Sequence, residues 1–325
     1  MGIIFIRFLN GSLTVKGRAD DRFMTTRRRR TDPGAKLVED LLSTRKIENA
    51  RVVPMTFDLE DMAILVLNSY TRALDENSDY LLWMAAWYDR RPLAQRHTHS
   101  DGNQMPKYAE GIALMRLMTG STMNSDADAR IWKWIDDRTG QDGLNYKHPG
   151  EADTFGNGRV LLARILDYRL RGSAKQREAI ERTINTYWDN VYVHGDRDAP
   201  DSYCHFPRTW DGSSRVGPEP PNPWPIYNGV LITPTAAWYE LTGNEKALDL
   251  ARWQTNAILR GGSFIAEDGA WQGWFHHFTH AGIGILKYAL ATQDEALLER
   301  MRGFYESGRS QGTSYGVVPE SPGEF

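Results

Sequence analysis

The sequence predicts an all-α fold, an (α/α) toroid, on three observations. From Phe57 onward, an apolar helical stretch, a tight polar turn and a second amphipathic stretch recur five times. Glycine closes the first stretch of three pairs, at Gly120, Gly172 and Gly243, where a left-handed helix stop is expected. Links inside pairs are short, whereas those between pairs are long, spanning 90–107, 139–157, 189–228 and 260–280.

The elements follow in order. The first pair is 58–70 and 80–88 around a turn at Asp75-Glu76-Asn77. The second is 108–118 and 127–135 around Thr119-Gly120-Ser121. The third is 159–170 and 177–188 around Arg171-Gly172-Ser173. The fourth is 229–241 and 247–259 around Thr242-Gly243-Asn244, and the fifth is 281–290 and 296–305 around Ala291–Asp294. In the last stretch Leu297, Met301 and Tyr305 recur at i, i+4 and i+8 with Leu298 alongside, the stripe of a core-facing helix. First helices carry small residues, such as Ala109, Gly111 and Ala113, or Ala281, Gly282 and Gly284. Small residues permit close helix approach and charge marks a solvated face, so first helices are expected on an inner ring and second helices on an outer one. Residues 51–325 form this domain, with five hairpins readable and a sixth partial. Residues 1–50 read as a poorly patterned arm containing Arg27-Arg28-Arg29-Arg30. Its start reads poorly as a signal peptide, because Arg7 interrupts Ile3-Ile4-Phe5-Ile6 and no small-residue cleavage site follows.

Composition narrows the function. With 42 acidic and 39 basic residues, the net charge of −3 is too balanced for a nucleic-acid or membrane-surface protein. No apolar run reaches the roughly 20 residues of a membrane span. The single cysteine, Cys204, excludes an internal disulfide framework and a Cys-based zinc cluster. Eleven Trp and fourteen Tyr suit a cleft for flat, hydroxylated ligands as well as a core.

In an up-down array every between-pair link emerges at one end and feeds the N-termini of the inner helices, so the active face is expected there. All eight histidines fall in these links or at their junctions. Glycoside cleavage needs two carboxylates. Of those facing the cleft, Asp101, Glu110 and Asp201 are the catalytic candidates, with Tyr203 and His277 for proton transfer. His99, Tyr146, Arg159, His205, Trp210, Trp224, Tyr227, Trp271, Trp274, His276 and His280 are expected to bind the sugar. The spacing of His276, His277 and His280 also suits a metal, but no HExxH motif is present and no metal or cofactor is expected. Cys204 beside His205 is a weaker nucleophile candidate, since sequence adjacency does not make a dyad.

Three stretches carry a resemblance: 242–252 (Thr-Gly-Asn-Glu-Lys-Ala-Leu-Asp-Leu-Ala-Arg), 280–294 (His-Ala-Gly-Ile-Gly through Tyr-Ala-Leu-Ala-Thr-Gln-Asp) and Tyr315-Gly-Val-Val-Pro-Glu320. They resemble the six-hairpin glycosidase superfamily, and more loosely its β-L-arabinofuranosidase-like branch, over about 57–325. The resemblance implies a carbohydrate-active enzyme. That branch uses a cysteine-rich zinc site, and with one Cys here none of its catalytic residues is carried over. The superfamily has six hairpins against five counted. Either 34–53 supplies the missing helix, or the ring is open, completed by a partner, or the chain is truncated. The expected function is a glycoside hydrolase acting on a poly- or oligosaccharide. The alternatives are a polysaccharide lyase working on a uronate, a non-catalytic glycan-binding subunit and, as a minor fourth, a sugar isomerase or epimerase with paired histidines. Nucleic acid and membrane are excluded as partners, and a homo-oligomer stays open.

Overall fold

The computed structural model describes residues 59–87, 94–97, 101–148, 150–204, 206, 209–210, 229–260, 265–271 and 275–313. Nine α-helices dominate the described residues. They are α1 (Leu59–Arg72), α2 (Asp101–Thr119), α3 (Asp126–Asp137), α4 (Thr154–Arg171), α5 (Ala174–Asn190), α6 (Ile232–Thr242), α7 (Glu245–Leu259), α8 (Phe275–Thr292) and α9 (Glu295–Ser310). The pairs α2–α3, α4–α5, α6–α7 and α8–α9 are hairpins.

Their turns are written in local chemistry. Gly172 and Gly243 adopt φ of 66° and 72°, the left-handed conformation that ends α4 and α6 without a Cβ clash. The next residue begins the return helix at once: Ser173 and Asn244 cap α5 and α7 by accepting from the backbone N–H of Gln176 and Ala247. Asp294 caps α9 in the same way through Leu297 N–H.

The first helices pack in the order α1, α2, α4, α6, α8 and form the inner layer; α3, α5, α7 and α9 lie outside. A Cβ on Gly158 would sit 2.6 Å from Val230 Cγ2, and one on Gly284 2.7 Å from Ile232 Cβ. The inner helices therefore approach more closely than side chains would allow. Burial follows the layers: α4 hides Phe155, Val160, Leu161, Ala163 and Ile165, whereas α5 buries one stripe of Ala179, Ile180, Thr183, Ile184 and Tyr187.

Three corrections to the sequence reading arise here. The stretch 80–88 is no helix: Leu81–Trp87 is strand β2, paired antiparallel with β1 (Leu74–Asp75) and β3 (Ala94–His97). The short, continuously apolar Leu81-Leu-Trp-Met-Ala-Ala-Trp has no period to decide between helix and strand. Asp79 and Tyr80, at φ of 52° and 57°, reverse the chain into it. The described residues thus hold four helical hairpins plus α1.

The long links are also not structureless. β4 (Tyr146–His148) and β5 (Glu151–Asp153) form a hairpin, and β8 (Thr209–Trp210) joins β5, stitching two links into one sheet. Likewise β6 (Val193–His194) pairs with β7 (Tyr203–Cys204). Third, Trp210 and Trp271 are core residues, 7% and 3% exposed. Trp210 packs on Tyr187, and Trp271 lies among Phe275 and Phe278, so neither indole presents an open face to a sugar.

Candidate active site

Three inner helices bring side chains to one cluster: Lys107 and Glu110 from the middle of α2, Phe155 and Arg159 from the first third of α4, and His280 from the first third of α8. The spacings in α2 and α4 are i, i+3 and i, i+4, so each of these two helices presents its pair on one face. Placement of α4 starts upstream. Asp153 caps it through Phe155 N–H at 3.1 Å. Asn157 then clasps the preceding link, accepting from Asn145 N–H at 2.7 Å and donating to the Asn145 and Asp153 carbonyls, each at 3.0 Å.

The Phe155 ring is the centre of the cluster. Lys107 Nζ lies 5.6 Å and the Arg159 guanidinium carbon 5.4 Å from its centroid. The His280 ring meets it edge-on at 6.0 Å. Arg159 Nη2 is 2.6 Å from His280 Nε2, and Nη1 is 3.8 Å from Glu110 Oε2. These groups shift one another. Burial pushes the Glu110 carboxyl above its usual range, against the pull of Arg159 and Lys107. Burial, with Arg159 beside it, brings Lys107 down to about 8. His280 falls to about 3, through burial first and then the charges of Arg159 and Lys107, with His276 and His277 adding less. Its imidazole is therefore neutral at pH 7 and a poor proton acceptor.

That shift has a measurable consequence. The unfolded chain binds a proton at His280 below about pH 6.5 while the folded chain refuses it until about 3, so this group's stability is intact above 6.5 and lost as pH falls toward 3. The loss amounts to about 5 kcal/mol at most. His280→Gln is expected to flatten the dependence of the urea midpoint between pH 7 and 4.5. An identical slope in both proteins would show that His280 titrates normally.

The remaining sequence candidates stand elsewhere or face other partners. His276 is exposed and His277 buried, their rings 4.2 Å apart at the start of α8. Asp101 opens α2, nine residues before Glu110, which puts it about 13 Å along the axis and on the opposite face; its side chain lies outside what the structure describes. Asp201 is exposed in a turn. Tyr203 stacks on His194 at 4.4 Å with Arg260 over its ring at 4.2 Å. That β6–β7 ribbon docks on the outer helix α7, where Asn256 donates to the Pro200 and Ser202 carbonyls and Trp253 to that of Arg197.

Tyr146 donates its hydroxyl to Asp142. Cys204 is fully buried, which pushes its thiol well above the usual range and away from nucleophilic use. His99, His205, Trp224, Tyr227 and Trp274 lie outside the described residues. Lys107 and Phe155 were not picked out by sequence reasoning. The signal that would have found them is their spacing from Glu110 and Arg159 at the head of an inner helix.

No protein-family model matches the sequence, and no curated protein matches it. Solved structures do. A sugar epimerase from a ruminal bacterium aligns with a TM-score of 0.59 at 13% identity, covering 81% of this chain and 75% of that one. The cellobiose 2-epimerase of Spirochaeta thermophila gives 0.56 at 14%, covering 81% and 75%. A GH76 α-mannanase of Bacteroides thetaiotaomicron gives 0.54 at 13%, covering 80% and 77%. The chain has the α/α-toroid fold that these structures share, and these likenesses do not single out the arabinofuranosidase-like branch.

Proposed function

We propose that the protein is a carbohydrate-active enzyme, a glycoside hydrolase in which Glu110 gives its proton to the departing glycosidic oxygen. The observation that carries this reading is the state of Glu110. It is gathered with Lys107, Arg159 and His280 from three inner helices, and burial raises its pKa above the usual carboxylate range. With 24% of its side chain accessible, it still reaches a substrate entering from the mouth of the ring. A carboxylic acid whose pKa is raised by partial desolvation is what glycosidic cleavage demands of its acid. Water activation falls to a second carboxylate from the links, among which Asp153 is described.

A second reading is sugar epimerisation or isomerisation, by proton transfer at a carbon next to the carbonyl. It is favoured by the adjacent His276 and His277 at the same helix head, and it needs no second carboxylate. Two of the structurally similar proteins are named as epimerases and one as a mannanase. Incubating the protein with a panel of manno-, gluco-, arabino- and uronate-containing oligosaccharides in deuterated buffer separates the possibilities. New reducing ends without carbon-bound deuterium are expected. Deuterium incorporated without cleavage would replace the hydrolase by an epimerase, and an ultraviolet-absorbing unsaturated product would replace it by a lyase.

A further inference from the structure

Among the described residues, charge at the cluster does not balance. Arg159 and Lys107 both press against Phe155, while Glu110 is the carboxylate described beside them, 3.8 Å from Arg159. Among the described residues Lys107 makes no ion pair. Arg159 Nε is buried with no hydrogen-bond partner there. The third neighbour, His280, is a neutral imidazole against Arg159 and supplies no negative charge. Buried cations are ordinarily paired, because an unpaired one carries its full desolvation cost. The head of α4 adds its own partial positive charge near Phe155. A neutral sugar would leave one of the two cations unanswered.

We propose that the cluster recognises a sugar bearing a carboxylate, a uronate residue, which lies beside Lys107 on the side that faces the Arg159 guanidinium. This rests on the reading of the cluster as a sugar site, and it names the class of sugar. The uronate carboxylate takes the position of the missing counter-ion, accepting from Lys107 Nζ, while the nearby Arg159 guanidinium adds its charge. The rest of the pyranose then lies across the mouth of the ring within reach of Glu110. Phe155 holds both cations in place beneath it and excludes water.

Binding can be measured apart from turnover. Calorimetry on the whole chain at pH 7 would compare galacturonic and glucuronic acids with galactose, glucose, the two uronate methyl esters and glucose 6-sulfate. Each acid is expected to bind about tenfold or more tightly than its neutral sugar and its ester, the gain of a charge-assisted hydrogen bond. Lys107→Met should narrow that ratio to about twofold, and Lys107→Arg should keep it. Thermal melts of both variants would verify that they fold. Equal affinity for acids and neutral sugars, an unchanged ratio in Lys107→Met, or sulfate binding as tightly as the uronates would overturn the assignment. Uronate preference without cleavage of any oligosaccharide would sink the hydrolase reading and leave this one standing. Glu110-dependent cleavage of neutral glycans without uronate preference would do the reverse.

Discussion

Glu110→Gln is expected to lower turnover by about a thousandfold, within the usual range for removing a general acid, while leaving the melting temperature at or slightly above that of the parent. The amide has the shape of the carboxylic acid and none of its proton. It also relieves the burial that now raises the Glu110 pKa, so no stability is forfeited. The pH profile gives an independent check. A general acid works only while protonated, so activity of the parent should fall as pH rises through the elevated pKa of Glu110. The variant's residual activity should lack that alkaline limb. Glu110→Asp should keep the limb while losing rate, because the carboxyl is withdrawn by one methylene. Unimpaired cleavage by Glu110→Gln would remove this residue from the chemistry altogether.

The largest effect on stability is expected at Arg164. This side chain leaves inner helix α4 and is 1% exposed. Its Nη1 donates to Gln176 Oε1 on α5 at 2.6 Å. Its Nη2 donates to Asp136 Oδ1 on α3 at 2.8 Å and to Thr139 Oγ1 at 3.1 Å. One guanidinium thus ties two neighbouring outer helices to the inner one. Removing it in Arg164→Met leaves Asp136 with the exposed Lys175, 2.6 Å away, and leaves the buried Gln176 Oε1 without the donor it now has. Breaking a buried pair in this way costs about 3–5 kcal/mol. Lysine should restore little, since it lacks the planar fork that serves both helices at once. Because α4 also carries Phe155 and Arg159, activity should fall in step with the folded fraction. A loss below about 1 kcal/mol in denaturant titration would mean the pair contributes no more than one on the surface.

The hairpins were legible because their signals are local. Gly172 and Gly243 fall one residue past a helix end, and Ser173, Asn244 and Asp294 have side chains that cap the next helix. The strand Leu81–Trp87 was not, because a seven-residue apolar run takes its conformation from the partners it meets, here Ala94–His97 and Leu74–Asp75. At the site, Glu110, Arg159 and His280 were visible as polar residues in the links or on the inner helices they feed. Nothing in the sequence marks Lys107 and Phe155, and only the packing of α2 against α4 turns them into a pair. Asp201 and Tyr203 were expected in the bowl because link three is long. The first part of that link folds back on α7, where backbone carbonyls of 197–202 find donors in Arg252, Trp253 and Asn256. Which way a long connection falls is decided by such donors on a remote helix, and no pattern within the link records it. Trp210 and Trp271 illustrate the same limit, since an indole serves interior and cleft equally well.

The turn between α8 and α9 offers a practical handle. Thr292, Gln293 and Asp294 are all exposed, and Thr292 stands about 18 Å down α8 from His280. An affinity peptide or fluorophore grafted at Gln293 would tether the molecule by its far end. On a sensor chip or resin, every copy would then present its open mouth to the flowing sugar.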